Sequence, residues 1–196
     1  MQAIRRATLA DAIGGATWLR DAVLIATASG ATGLLAQAEI RLPFTPVPVT
    51  LQPFAVFLFG AALGGRRAAL AMLAYLAEGA CGLPFFAGGA AGLQHLAGPT
   101  GGYLLGFVPA SFAIGWCAEH GWDRTPTRAF AAMLVGSVIL FTCGVTQLSF
   151  FVGRDHALQQ GLYPFIVGDV LKMALAAALL PGAWKLLELT GLSPRD

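Results

Sequence analysis

Asp169 and Lys172 are the two charges in this chain whose surroundings most need an explanation. They lie in YPFIVGDVLK (163–172), which runs on into MALAAALL (173–180), and no other Asp, Glu, Lys or Arg occurs between His156 and Lys185. Three residues apart, they share one face of a helix. If that helix begins near Pro164, whose missing N–H does no harm in a first turn, Asp169 lies about 7–8 Å along it and Lys172 about 12 Å at ~1.5 Å per residue. In a hydrocarbon core ~30 Å thick, Lys172 is then near mid-depth. A charge at that depth costs on the order of 2.5–3.5 kcal/mol on insertion scales. Two roles account for keeping the pair. Either Asp169 and Lys172 neutralise each other and staple the helix into its bundle, or they face a cavity and meet a polar ligand, the default for ionisable residues at membrane depth.

Other candidates are weaker. Gln52, beside Pro53 at the start of an apolar helix, is a lone amide at the same level as Asp169, and Tyr103 starts another helix at that level. An aromatic there equally serves a membrane-interface belt. Glu78 is a lone acid in an apolar run and is assigned no role. Ala22, Ala26 and Gly30 form a small-residue stripe on the first helix, where another helix can approach closely. It serves internal packing or a docking face for another subunit. No G-x-x-x-x-G-K-[ST] loop occurs, so nucleotide is not hydrolysed through that motif. Gly88-Gly89 and Gly101-Gly102 have neither a Lys nor a preceding strand to make a phosphate loop. There is no Ser-His-Asp spacing and no H-E-x-x-H. His95, His120 and His156 have no i,i+4 partner, so no metal or cofactor is expected. Cys81, Cys117 and Cys143 read as small core residues.

These residues must be positioned by apolar helices. The 196 residues are 57% hydrophobic and 11% charged, against about 25% charged in soluble domains, and mean hydropathy is +0.71. This is an all-α integral membrane protein forming a single domain, with the lipid bilayer as its solvent. A net charge of +2 gives no reason to expect nucleic acid. Residues 1–17 contain no apolar core of signal-peptide length. Helices are predicted over about 18–38, 50–63, 68–81, 103–118, 129–152 and 164–180. Prolines 43, 46 and 48 make 39–49 an extended loop. Thr50 is placed to cap the second helix, and Pro181-Gly182 kinks or ends the sixth. The stretch 82–102 is apolar but too rich in Gly and Pro to span, so it reads as a capping or partly re-entrant loop. Such backbone survives at membrane depth only when buried in protein or lining a cavity.

Six spans put both termini on one side. That side then carries nine Lys or Arg residues (Arg5, Arg6, Arg20, Arg66, Arg67, Arg124, Arg128, Lys185 and Arg195), and the other side carries Arg41 and Arg154. The positive-inside rule makes the termini cytoplasmic. The Gly-rich loop and the start of the sixth helix then face outward, as a cavity under a cap.

Four stretches carry a family resemblance: PVTLQ (48–52), GLPFFAGG (82–89), GPTGGYLLGF (98–107) and GDVLK (168–172). In this order they closely resemble the BioY family, the biotin-specific S components of energy-coupling factor (ECF) transporters, and the six-helix plan fits the whole chain. The resemblance implies a non-enzymatic substrate-capture subunit in a bacterial plasma membrane. It would bind biotin from outside and work with a T component and ABC-type ATPases. It places the family's Asp and Lys on Asp169 and Lys172, and its T-component docking stripe on Ala22, Ala26 and Gly30. Biotin has an apolar ring, a ureido group and a carboxylate tail. Asp169 can accept from a ureido N–H, Lys172 can neutralise Asp169 or donate to a ligand oxygen, and Phe85, Phe86 and Tyr103 can pack on the rings. A small membrane enzyme and a structural or assembly subunit are the rival classes. The first should show a titratable cluster, and the second no stabilisation by ligand.

Overall fold

The helices form where apolar runs are bounded by residues that start or stop them. The computed structural model describes residues 7–12 and 17–190. Arg5, Arg6 and Arg195 of the charge count, and part of the 1–17 arm, lie outside the described residues. After a short helix α1 (Leu9–Ala12) comes α2 (Trp18–Ala36). Thr17 caps α2, its hydroxyl oxygen accepting the Arg20 N–H at 3.2 Å. Strands β1 (Glu39–Ile40) and β2 (Val49–Thr50) pair antiparallel and close the base of the proline-rich loop. Then follow α3 (Gln52–Leu63), α4 (Gly65–Ala80), the short α5 (Leu93–Ala97), α6 (Gly101–Glu119), α7 (Pro126–Val152), α8 (Arg154–Gly161) and α9 (Ile166–Leu189).

The helices pack as a ring. α2 lies against α3 and α4, α6 against α4 and α7, and α9 against α7 and α3, while α3 also reaches α6. Between helices in lipid there is no hydrophobic drive, and close approach of small residues does more of the work. Gly60 on α3 and Gly136 on α7 both face Ile114 of α6. α2, α6, α7 and α9 are long and apolar enough to cross a membrane. With 12 and 16 residues, α3 and α4 are shorter.

Several boundaries differ from the sequence expectation. α4 begins at Gly65 rather than near 68, because Gly64 turns the chain at φ +81° and the Glu119 carboxylate accepts the Gly65 N–H at 3.0 Å. A side chain at Gly64 would be strained and would also meet that carboxylate. Thr50 lies in β2, and its hydroxyl takes the N–H of Gln52 at 3.2 Å, with Leu51 at the cap position. α9 neither starts at 164 nor stops at 180. It starts at Ile166 and continues through Pro181. Trp184 anchors the far part, donating from Nε1 to Asp123 at 2.7 Å with the Arg124 guanidinium 3.5 Å above its ring. Asp169 is then only about 4–5 Å, and Lys172 about 9 Å, from the helix start. Cys117 is buried and Cys143 half-buried as expected of core residues, but Cys81 is exposed, because it follows the last turn of α4.

One end of the ring is held by charges. Arg67 pairs with Asp11 at 2.8 Å and with Asp21 at 3.0 Å, and Arg124 donates to the Ala7 carbonyl at 3.2 Å. Burial of the Asp11 carboxyl works against ionisation, yet the Thr8 N–H and hydroxyl and the Arg67 guanidinium hold it below the usual carboxylate range. The opposite end is covered by 82–100, which folds as a 3-10 turn over Ala87–Gly89 followed by α5. Side chains from the helices add hydrogen bonds to its carbonyls. Gln37, the C-cap of α2, donates to Pro84 and Phe86, and Gln147 of α7 donates to Leu96 at 2.9 Å and Gly98 at 2.8 Å. These bonds are why irregular backbone can stand here.

Candidate ligand-binding site

Under that segment lies a cavity of about 620 Å³. This is within the range of roughly 300–1,000 Å³ usual for small-molecule pockets. Its floor is the first turns of α3, α6 and α9, its outer wall is the β1–β2 loop, and one side is the middle of α7.

Asp169 and Lys172 meet on the α9 side. Lys172 Nζ donates to Asp169 Oδ1 at 2.7 Å, with the side chains 11% and 3% exposed. Both line the cavity. The pair is thus bonded to itself and also turned toward the space, so the staple and the ligand-facing roles are not exclusive. Gln52 lines the cavity at the start of α3. Its Oε1 accepts from Thr50 Oγ1 at 3.0 Å and its Nε2 donates to the Tyr75 hydroxyl.

Tyr103 presents its ring and not a free donor, because its hydroxyl donates to the Gly161 carbonyl at 2.7 Å. Gly144 and Gly161 leave the room that this ring needs, since a Cβ at either would collide with it. Phe86 is buried on the wall, edge-on to Tyr75 with ring centres 5.7 Å apart. Phe85 is placed differently from the expectation. Its ring packs over Gly33 of α2 and is not on the cavity wall. The backbone at Phe86 is extended, and neighbouring side chains in extended chain point to opposite sides.

Other lining residues escaped the sequence reading. Phe107, Phe141 and Phe165 complete an aromatic wall, and Phe107 and Phe165 sit inside stretches already singled out. Thr50 and His95 add polar groups. At the rim Arg41 pairs with Glu39 at 2.8 Å, its own side chain 77% exposed. Tyr75, fully buried on α4, is not on the wall but touches Gln52 from behind. A lone tyrosine in an apolar helix is the one signal that marked it. Glu78 accepts from Ser29 of α2 and joins two helices. On α2, Ala22 and Ala26 are exposed, and at Gly30 an added Cβ would meet nothing within 4 Å. The buried face of α2 is instead Ala28, Ser29, Thr32, Gly33 and Ala36.

Chemically, the arrangement is an aromatic box with one enclosed ion pair, a second pair at the rim and one oriented amide. It suits a ligand with an apolar ring and a hydrogen-bonding edge. A model of the BioY family matches residues 5–189. The biotin transporter BioY of Thermotoga maritima is 40% identical over 143 residues, covering 72% of this chain and 83% of that protein. The biotin transporter BioY of Rhizobium etli is 39% identical over 171 residues, covering 82% and 90%. A crystal structure of the S-component for biotin from an ECF-type ABC transporter superposes with a TM-score of 0.78 at 25% identity, over 85% of this chain and 92% of that one.

Proposed function

Because the chain belongs to the BioY family, we propose that it is the substrate-capture (S) subunit of an ECF-type vitamin transporter, taking biotin from outside. It then passes biotin inward with a T component and ATPase subunits. The observation that carries this reading is the capped cavity, in which Asp169, Lys172, Gln52, Phe86 and Tyr103 come together. The relatives of this chain are named as transporters. The aromatic wall takes the ring of biotin, and Asp169, Lys172 and Gln52 are the polar partners for its ureido group or an oxygen. A polar site of this kind rejects analogues that leave its groups unpaired.

The protein is a multi-pass component of a bacterial plasma membrane, with six spans and cytoplasmic termini. α3 and α4 are the short spans, and the extended chain before α3 and the segment after α4 cover the remaining depth. The Gly-rich segment is the outer cap. Ala22, Ala26 and Gly30 form the face that meets the T component, which the exposure of the two alanines and the open space beside Gly30 support.

The test is a thermal-shift panel of vitamins on the purified protein in detergent. A ligand that binds only the folded state at 100 times its Kd stabilises by about 2.7 kcal/mol, so biotin should raise the melting temperature and the other vitamins should not. No shift with biotin at saturating concentration overturns the proposal.

A further inference from the structure

Gln52 reaches the cavity with half of its hydrogen-bonding capacity already committed. A carboxamide has two N–H donors and an oxygen with two lone pairs. Here Thr50 Oγ1 donates to Oε1 at 3.0 Å and Nε2 donates to the Tyr75 hydroxyl. Tyr75 settles which end of the amide is which. Its own proton goes to the Phe85 carbonyl, 3.2 Å away, so toward Gln52 the hydroxyl can only accept. Thr50 is consistent with this from the other end: its oxygen accepts the Gln52 backbone N–H and its proton goes to Oε1.

We infer that Tyr75 is a positioning residue for ligand binding: through its buried hydroxyl it fixes the Gln52 carboxamide in one of its two flip states. The inference rests on Gln52 being a ligand contact, as proposed above. The fixed amide keeps one N–H and one oxygen lone pair, in a set order, for a ligand edge that offers C=O beside N–H, such as a cyclic urea. The Phe85 carbonyl belongs to the segment that also carries Phe86 onto the cavity wall. The amide is therefore set in its working orientation when that segment is seated.

A double-mutant cycle separates this role from a purely structural one, because residues acting as one unit are not additive. Biotin affinity is measured by calorimetry on the full chain for wild type, Gln52→Ala, Tyr75→Phe and the double variant. Each single change should weaken binding about tenfold or more, and the double variant should bind within about threefold of Gln52→Ala alone. Losses that multiply to about a hundredfold would mean that Tyr75 acts on the fold and not through the amide, overturning the inference. Undiminished binding by Tyr75→Phe, with Gln52→Ala weakened, overturns it while leaving the site reading intact. Undiminished binding by Gln52→Ala removes the contact on which it rests. Should Tyr75→Phe fail to fold, the cycle is run with Thr50→Val, which frees the other end of the same amide. Coupling to Gln52→Ala there supports the fixed amide, and multiplying losses overturn it.

Discussion

Asp169 and Lys172 hold each other at 2.7 Å on a cavity wall, nearly excluded from solvent. An ion pair so enclosed is weak evidence of stabilisation, since two desolvated charges regain little more than they lost, yet removing one partner is costly. Asp169→Asn keeps the shape and leaves Lys172 unpaired, which should cost on the order of 3–5 kcal/mol of stability. Asp169→Asn with Lys172→Met removes both charges and should recover most of that loss. If the pair faces the ligand, the folded double variant should still bind biotin more weakly by about 2–5 kcal/mol. Calorimetric titration of that variant decides the matter, and near-normal affinity would leave the pair as a staple with the site elsewhere. The pair was readable in the sequence because charge is rare in an apolar run. The choice between Phe85 and Phe86 was not, because two adjacent phenylalanines are equivalent by type. Only the extended backbone, and the Tyr75 ring beside Phe86, separate them.

Among the elements, α2 presents two faces of different use. Ser29, Thr32 and Gly33 are buried against the rest of the chain, while Ala22 and Ala26 stay exposed though both are small. A small residue gains little by facing lipid, but it lets a partner helix approach. Ala26→Trp should abolish co-purification with a T component and leave biotin affinity unchanged. Loss of biotin affinity instead would mean that this face supports the site itself. The long helices were recoverable from apolar runs, and their first residues less so. α9 starts two residues late and runs past Pro181, because its end is fixed by a tertiary contact, Trp184 on Asp123, that no local signal announces. The same holds for the Gly-rich segment. Its composition marks it as irregular, but its seating depends on two amides distant in sequence, Gln37 at the end of α2 and Gln147 in α7.

At the scale of the molecule, the two ends of the ring differ in chemistry. At one end the first turn of α2, the α3–α4 turn and the stretch between α6 and α7 are tied to residues 7–12 by Asp11, Arg67 and Arg124. The cavity opens at the other end, under the 82–100 segment, with Arg41 at its rim. The basic residues follow the same division: Arg20, Arg66, Arg67, Arg124, Arg128 and Lys185 belong to the elements of the first end. In the orientation proposed above, which follows the positive-inside rule, this is the cytoplasmic end. α6 joins the two ends, and its 19 residues cover about 28 Å, close to a hydrocarbon core. Gln94 stands before α6 and Thr125 after it, and both are exposed. Single cysteines placed at these positions, in a variant lacking Cys81, Cys117 and Cys143, should therefore react from opposite sides of an intact membrane. Gln94→Cys should take up an impermeant thiol reagent added outside, and Thr125→Cys should react only after the membrane is opened. Labelling of both from one side would mean that α6 does not span, and with it would go the six-span arrangement and the outward cavity.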